Sequence, residues 1–397
     1  MYNRHAKNTV RYYTLLLALL AFLFFSNDFG LLDVQKTAIV VAAGIDRDEE
    51  EFVLTTQIAI PQSSTQGKAT QSVQITSKGK TIADAFEEVN AKTGWYPKLV
   101  FCKLILLGES ACQTDVFDAL DYFLRDEYLT DNSLVATCSG SAKELLNAAA
   151  LVDSSSSAAI EKILSSHAER VGSVLPSTLK SFAVGYFSDA ASGTLPIVKM
   201  ESKEEEAQPP QTNDSNDEKG SGVGKAQEKP VFSAGETALF VRGKKVGTLT
   251  SEETFACNAV LGSLRLAPYS VPISEGVCTL SIRQNGPKRK LSVGKNGKAT
   301  LSIAVTLTSG ARDFSLSQPL DKISDVGDVP IGAFSGAERK LAGEIKTAFD
   351  KSKALGCDLF GVRDLFSKRG KRALQAHGDT LLSNTTADVS VRFEGVR

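Results

Sequence analysis

The stretch TAIVVAAGIDRDEEEFVLTTQIAIP, residues 37–61, decides the fold, because two strand-forming runs flank a charged segment in it. The first apolar run ends at Gly44, and the second extends over residues 52–60, where Pro61 stops it. Two such runs with a short polar connection predict a β-hairpin. A third strand is expected over residues 72–76. We interpret the acids of the connection as solvated turn residues: Asp46, Asp48, Glu49 and Glu50.

An amphipathic helix is predicted directly after these strands. Thr81 is suited to its N-cap, with Asp84 three residues later completing a capping box, and Gly94 is suited to its C-terminal end. The apolar residues in between fall on one face and are expected to be buried: Ile82, Ala85, Phe86 and Val89.

Strands and helices then alternate. The run LVFCKLILL, residues 99–107, predicts a central strand, and residues 134–138 predict another. Helices are expected over residues 115–124 and from Ser141 onward. Strands followed by helices predict sheets with helices packed on them. The expected fold class is therefore α+β, with mostly antiparallel or mixed sheets.

The second half of the chain has the same mixture of elements. Ser251 is expected to cap a short helix, and the helix over residues 337–355 carries Leu341, Ile345 and Phe349 at near-four-residue spacing. Apolar segments predict strands over residues 238–241, 246–249, 278–283, 290–293, 300–307 and 387–393, the last as an edge or exposed-face strand.

One segment divides the chain. Residues 201–230, ESKEEEAQPPQTNDSNDEKGSGVGKAQEKP, contain almost no large apolar residue and cannot bury enough surface to offset their ordering entropy. The segment before it has a helical pattern closed by a strand at residues 195–199. We predict five parts: a cationic tip and apolar segment at 1–33, an α+β domain at 34–150, a helical middle domain at 151–200, a disordered acidic linker at 201–232, and an α+β domain at 233–397.

The N-terminus combines a cationic tip with the most continuous apolar run of the chain. Arg4, Lys7 and Arg11 precede this run, and a positive flank stays on the cytoplasmic side of a membrane. The exit of the run lacks the small-x-small pattern of a signal-peptidase site. We predict an uncleaved anchor, with a cleaved secretory signal as the alternative. The predicted anchor residues are Tyr12, Leu15, Leu16, Leu17, Leu19, Leu20, Phe22, Leu23, Phe24 and Phe25.

Composition argues against several classes of protein. The 45 basic and 46 acidic residues nearly cancel to a formal net charge of -1, unlike the concentrated basic face that nucleic acid requires. The six cysteines have no CxxC spacing and the three histidines lie far from them in sequence, so zinc is not expected. Because Cys102, Cys138 and Cys278 lie in apolar runs, we expect buried free thiols. Disulfide bonds are the alternative.

Fragments that resemble catalytic motifs lack the rest of their pattern. Gly79-Lys80-Thr81 resembles the end of a phosphate-binding loop, but Gln74 stands where the first glycine is required. The spacing of Ser177 and Lys180 is that of a penicillin-recognising serine enzyme, but its other elements are missing or out of order. No catalytic, cofactor-binding or metal-binding residue is therefore predicted, and a hydrolase with an unrecognised site stays an alternative.

Several segments, in their order along residues 37–397, resemble blocks of the Ger(x)C family, the C subunits of spore germinant receptors. They are AGID (43–46) with LTTQIAIP (54–61), SKGKT (77–81), KLILLGE (103–109) followed by RD (125–126), GETALFVRGKKVG (235–247), GCDLFG (356–361) and VSVRFEG (389–395). The family is usually lipidated at a cysteine after its signal. Here NDF, residues 27–29, occupies that region, so anchoring must depend on the apolar segment.

The resemblance implies about three α+β lobes, which would follow the N-terminal membrane anchor predicted from the residues. It implies a non-enzymatic subunit of a nutrient (germinant) receptor complex on the outer face of the spore inner membrane, acting by docking. The implied partners are integral-membrane receptor subunits of the A and B types and membrane lipid, with no cofactor and no nucleic acid. The residues also leave open a generic membrane-anchored envelope protein, such as a solute-binding or cell-wall assembly factor.

Overall fold

The computed structural model describes residues 11–21, 37–60, 72–151, 153–165, 168–201, 231–262, 264–273, 276–294, 298–316, 329, 332–368 and 380–395. The strands are β1 (Thr37–Asp48), β2 (Glu51–Ala59), β3 (Ser72–Gly79), β4 (Tyr96–Lys98), β5 (Leu104–Leu107), β6 (Leu134–Cys138), β7 (Ser192–Glu201), β8 (Val231–Val241), β9 (Lys244–Leu249), β10 (Arg265–Ile273), β11 (Gly276–Gln284), β12 (Lys288–Val293), β13 (Ala299–Leu316) and β14 (Thr385–Gly395). The helices are α1 (residues 11–21), α2 (Ile82–Thr93), α3 (Phe117–Arg125), α4 (Ala142–Asn147), α5 (Ser156–Leu164), α6 (Ala168–Val171), α7 (Leu179–Phe187), α8 (Ser251–Leu261), α9 (Ala333–Ala354) and α10 (Val362–Ser367).

The first sheet has nine strands in the order β3-β2-β1-β5-β6-β7-β8-β9, with the short β4 beside the start of β1. Its centre is parallel, since β1, β5, β6 and β7 run in one direction. Antiparallel strands extend it on both sides, β2 and β3 on one and β8 and β9 on the other. Parallel neighbours need long crossover connections, and helices α3 to α7 lie in the connections from β5 to β7.

The hairpin predicted from residues 37–61 is present and is tighter than expected. β1 and β2 pair as far as Asp48 opposite Glu51, so the turn itself consists of Glu49 and Glu50. The interpretation of Asp46 as a solvated turn residue is wrong. It lies within β1, where it is buried because the strand continues beyond the apolar run.

Helices cover both faces of the first sheet. The strand β5 reads LILL with all four residues buried, as expected of a parallel strand with no solvent-facing side. Ile105 and Leu107 belong to the core under α2 and α3, while Leu104 and Leu106 belong to the core under α4 and α5. This sheet with helices on it, together with the second sheet, confirms the predicted α+β class.

The predicted strand over residues 99–107 is wrong in its first half. Only its last four residues form β5, and the Cys102 N–H donates to the Leu99 carbonyl at 2.8 Å, which closes a turn before the strand. Leu99 and Cys102 point inward and are buried, whereas Val100 and Phe101 lie at the exposed tip of the turn. An apolar run alone does not distinguish a buried strand from a turn with apolar residues at its tip.

Two helix starts test the predicted caps. The Thr81 hydroxyl accepts a hydrogen bond from the Asp84 N–H at 3.1 Å, and Gly94 ends α2 with a φ of 70°, both as predicted. The predicted cap of α8 is wrong by one residue, since Thr250 is the N-cap and forms a capping box with Glu253. Thr250 has the extended backbone that an N-cap needs, which leaves the next residue as the first of the helix.

The second sheet is built around the long strand β13. Antiparallel β11 and β12 pair with successive parts of β13, β10 pairs with β11, and parallel β14 lies along the other edge. Among the described strands β14 pairs with β13 alone, so the predicted edge strand is confirmed. Helix α9 packs on this sheet through Leu341, Ile345 and Phe349, the predicted face.

The two sheets are joined through the segment after residue 230. Strands β8 and β9 belong to the first sheet, yet Leu239 and Leu249 pack in the core of the second sheet. The Asn258 side chain of α8 donates to the carbonyls of Gly172 at 2.6 Å and Val174 at 2.8 Å. The predicted linker, residues 201–232, therefore does not separate the two sheets, because β7 before it and β8 after it belong to the same sheet. Most of this linker lies outside the described residues. The domain division and the count of three lobes stay predictions.

Candidate functional site

The predicted membrane anchor lies in part on α1, and every residue of this helix is exposed. A helix that belongs to a globular core buries at least one apolar stripe, whereas a helix apolar on most sides suits an apolar surrounding. No helix among the described residues is long and apolar enough to span a membrane. Tyr12, Leu15, Leu16, Leu17, Leu19 and Leu20 have exposed fractions of 53% to 73%, and Phe22, Leu23, Phe24 and Phe25 lie outside the described residues.

A buried carboxylate connects β1 to the start of α4. Asp46 Oδ1 accepts from the Ala142 N–H at 2.9 Å, and Asp46 Oδ2 accepts from the Lys143 N–H at 2.9 Å and the Ser141 hydroxyl at 2.8 Å. The first N–H groups of a helix have no partner within it, so Asp46 caps α4 from outside that segment. The helix dipole favours a negative charge at this end.

Two glycines make room for this contact. A Cβ on Gly108 would lie 1.8 Å from Asp46 Oδ1, and a Cβ on Gly44 would lie 2.8 Å from Cδ1 of Leu146 on α4. The sheet and the helix therefore approach closely only because both positions lack side chains. The Gly-Ile-Asp and Gly-Glu segments quoted for the resemblance thus meet at one place in the structure.

This place is the carboxyl end of the parallel strands, where open sheets with helices on both faces commonly bind ligands. A helix N-terminus at such an edge attracts anions. Here the Asp46 side chain occupies that position on α4. The Asp46 side chain therefore has a structural role, because it attaches α4 to the sheet.

A second buried aspartate has the same role in the C-terminal half. Asp358 accepts from the Val362 and Arg363 N–H groups, both at 2.7 Å, and so caps α10. Its own N–H donates to the Ser192 hydroxyl at 3.0 Å, which links α10 to the start of β7. Burial raises the pKa of Asp358 above its usual range, although the two N–H donors act in the opposite direction.

Arg125 and Asp126, adjacent in the segment RD of the resemblance, have separate partners. The Arg125 Nε lies 2.6 Å from an Asp121 carboxylate oxygen on the exposed surface of α3. The Asp126 carboxylate instead accepts from the N–H groups of Tyr128 and Leu129 at 2.9 and 3.0 Å. Asp126 therefore shapes the loop after α3.

All six cysteines are buried and unpaired with one another. Burial raises the pKa of the thiols of Cys102, Cys112 and Cys357 to about 12, so these side chains stay protonated near neutral pH. Within the described ranges, no group of three or more histidine, cysteine or acidic side chains has a metal-binding arrangement.

A cavity of about 610 Å³ lies between α6 and β10, beside Arg170, Arg265 and Arg283. Arg265 is paired with Glu169 at 2.9 Å. Small-molecule sites are mostly apolar with a few placed polar groups, and an aromatic-lined cleft between domains would favour a solute-binding protein. The described lining of this cavity carries charged groups and no aromatic ring, so it does not favour that alternative.

Neither capping aspartate was predicted from the sequence. Asp46 directly follows Gly44 and Ile45 at the end of an apolar run, and Asp358 precedes a glycine by three residues. Both aspartates lie in segments that carry the resemblance, AGID (43–46) and GCDLFG (356–361), but the resemblance assigned no role to their carboxylates. A contact between residues far apart in sequence has no local pattern from which it can be inferred.

Two family matches cover the two halves of the chain. Residues 32–200 match the spore germination protein N-terminal domain, and residues 235–394 match the family described as spore germination B3/GerAC like, C-terminal. Together they contain both capping aspartates and the described strands and helices from β1 to β14, except Glu201 of β7, residues 231–234 of β8 and Gly395 of β14.

One curated relative and one solved structure are similar to the chain. Spore germination protein B3 of Bacillus subtilis (strain 168) is 31% identical over 120 residues, which is 28% of this chain and 31% of that protein. The match therefore spans about a third of the relative's length. The crystal structure of the GerBC protein has a TM-score of 0.52 at 18% identity, over 89% of this chain and 97% of that one. This second similarity concerns the fold.

Proposed function

Because the chain belongs to the family of spore germination B3/GerAC-like proteins, we propose that it is a non-enzymatic subunit of a membrane germinant receptor complex. The observation that carries the proposal is the pair of family matches, which extends from residue 32 to residue 394. The buried carboxylates Asp46 and Asp358 support it, since the oxygens of both accept hydrogen bonds from the first N–H groups of helices.

In the proposed arrangement, α1 is part of a membrane anchor, and the body stands on the outer face of the spore inner membrane. The support is the exposed apolar surface of α1 and the cation at its start, Arg11, which suits a positive cytoplasmic flank. About three α+β lobes would then follow the anchor.

The proposed partners are integral-membrane receptor subunits of the A and B types. An anchor confines the body to the same membrane as these subunits and raises its effective concentration near them. Contacts that are weak in solution then suffice for a stable complex. The body would act by docking, and a nutrient signal would pass through the assembled complex.

Co-purification from spore membranes tests this proposal. We expect a C-terminally tagged full chain, extracted in mild detergent, to bring down multi-span membrane proteins in comparable amounts. A membrane-anchored envelope factor would instead be recovered alone. The matched control is an unrelated single-anchor spore protein with the same tag. Recovery of the chain from the membrane fraction without any multi-span protein would overturn the receptor proposal.

A further inference from the structure

The turn before β5 exposes two large apolar side chains side by side. Leu99 and Cys102 hold the turn in the core, and Val100 and Phe101 at its tip are 46% and 55% exposed. Turn tips are normally occupied by glycine, proline, asparagine, aspartate or serine. Adjacent exposed apolar residues in such a turn leave surface that the fold does not bury, a feature typical of contact sites.

Exposed aromatic side chains lie on the segments next to this tip. Trp95 and Tyr96 precede it on the same connection, and Tyr128 lies in the neighbouring loop, where the Lys98 Nζ is 4.5 Å from its ring centroid. The Ser133 hydroxyl donates to the Cys102 carbonyl at 2.7 Å, which ties that loop to the turn. These exposed residues form the aromatic patch: Trp95, Tyr96, Val100, Phe101 and Tyr128.

A groove of about 430 Å³ opens next to the patch, with Phe101 in its wall. Ile39, Val41 and Ala59 are among its apolar lining residues, and Lys103 and Glu161, which also line it, form an ion pair at 3.1 Å. The groove extends the apolar surface from the turn tip to the start of β1.

The patch lies at the end of the sheet where the chain arrives from α1. Strand β4, which contains Tyr96, pairs with Thr37–Ile39, the first three residues of β1. Residues 22–36 connect α1 to this point, and a segment of that length reaches at most about 55 Å when fully extended. If α1 is held in a bilayer, the start of β1 lies within that reach of it.

The chemistry of the patch suits the interface between lipid and water. Tryptophan and tyrosine concentrate at the headgroup level, and lysine beside them keeps its charge in water while its stem lies along apolar surface. The charge of Lys103 is offset by its ion pair with Glu161, so attraction to anionic lipid is not the dominant force.

We propose that the aromatic patch inserts into the headgroup region of the bilayer that holds α1, as a second membrane contact that fixes the orientation of the body. This inference rests on the membrane anchor proposed above. The occupant is a lipid bilayer surface, and zwitterionic phosphatidylcholine is sufficient for it.

Trp95 is the single tryptophan of the chain, so intrinsic fluorescence reports on the patch directly. The full chain is reconstituted into phosphatidylcholine vesicles with either ordinary or brominated acyl chains. We expect emission from Trp95 to be roughly two-fold lower with brominated lipid, because its ring settles at the headgroup level. Flotation of the same vesicles reports separately on the anchor.

Two variants and a matched control complete the test. The double variant Val100→Ser/Phe101→Ser removes the tip, and Tyr128→Ser alters the neighbouring loop. Both should still float with the vesicles and lose most of the quenching. Val277→Ser is the control, since Val277 is 42% exposed on β11 of the other sheet, and it should leave quenching unchanged.

Three results would overturn the inference. Flotation with equal Trp95 emission in both lipids would leave the anchor standing and remove the patch contact. Absence of flotation would remove the anchor and the patch contact together. Shielding of Trp95 only after purified multi-span subunits are added would assign the patch to a protein interface.

Discussion

The Asp46 carboxylate accepts a hydrogen bond from the Ala142 N–H at 2.9 Å, across 96 residues of sequence. This contact joins the first strand of the nine-stranded sheet to a helix that follows β6. Since Asp46 is buried, water does not readily replace it, and a break leaves unsatisfied donors at the start of α4.

Replacing Asp46 by alanine should destabilise the protein by about 2 kcal/mol, because three hydrogen bonds to the first turn of α4 are lost. Asp46→Asn should also be destabilising, since its amide nitrogen would face N–H donors. Urea unfolding of the purified chain measures both. Asp48→Ala is the control, because Asp48 is exposed and its ion pair with Lys78 lies on the surface, where such pairs contribute little to stability. Equal losses at both positions would contradict the capping role.

A methyl group on Gly108 should destabilise the fold, since its Cβ would lie 1.8 Å from Asp46 Oδ1. We expect Gly108→Ala to cost at least about 2 kcal/mol, as overpacked sites typically do. Gly343→Ala is the matched control, because Gly343 lies within α9 and a Cβ there meets nothing within 4 Å. Alanine in an open helical position should raise stability by about 0.5–1 kcal/mol. Thermal unfolding distinguishes the two signs.

The stability contribution of Glu344 should fall as pH rises. Burial raises the pKa of Glu344 more than its hydrogen bond from the Tyr269 hydroxyl, at 2.9 Å, lowers it. The folded state then holds its proton above the unfolded pKa of about 4.3 and is penalised once the group ionises. The unfolding free energy of wild type minus that of Glu344→Gln should therefore decline from about pH 4 upward and become level above the folded pKa. A difference that rises with pH would refute the burial effect.

The thiols should be unreactive in the folded protein. All six cysteines are buried, and the pKa of Cys102, Cys112 and Cys357 is raised to about 12 by burial. At about pH 8, dithiobis-nitrobenzoate should release almost no product from the native chain and six equivalents after guanidinium unfolding. Rapid reaction of any thiol under native conditions would show that its site opens.

Charges placed in α1 should release the chain from membranes. Leu16→Asp/Leu20→Asp introduces two carboxylates on one side of the helix, at about 2.5–3.5 kcal/mol each in a bilayer centre. We expect the double variant to move from the floated vesicle fraction to the soluble fraction. Leu16→Ile/Leu20→Ile keeps the apolar surface and should stay bound. If the aspartate variant also stayed in the vesicle fraction, α1 would not be the element that holds the chain on the membrane.

Local patterns predicted the elements whose determinants are close in sequence. The hairpin of β1 and β2 follows from alternating runs around a polar turn, and the start of α2 follows from Thr81 and Asp84, three residues apart. The buried face of α9 was visible for the same reason, since Leu341, Ile345 and Phe349 repeat with the helical period.

Contacts between distant residues could not be predicted in this way. Ser141 was expected to begin α4, yet its side chain makes no capping hydrogen bond to the helix, because Asp46 supplies the acceptors from β1. The exposed tip of Val100 and Phe101 was hidden within an apolar run that also contains β5. Only the pairing of both β4 and β5 with β1 places a turn between them.

The pairing of Glu201 with Val231, at the paired ends of β7 and β8, has a practical consequence. The segment between them leaves the sheet and returns to it at adjacent positions, so its length has little influence on the strands that flank it, and longer connections cost only slightly more closure entropy. A fluorophore or a small reporter domain inserted there should leave the sheet intact. A cut at the same place should leave two polypeptides held together by ten residues of β7 and the strand beside it.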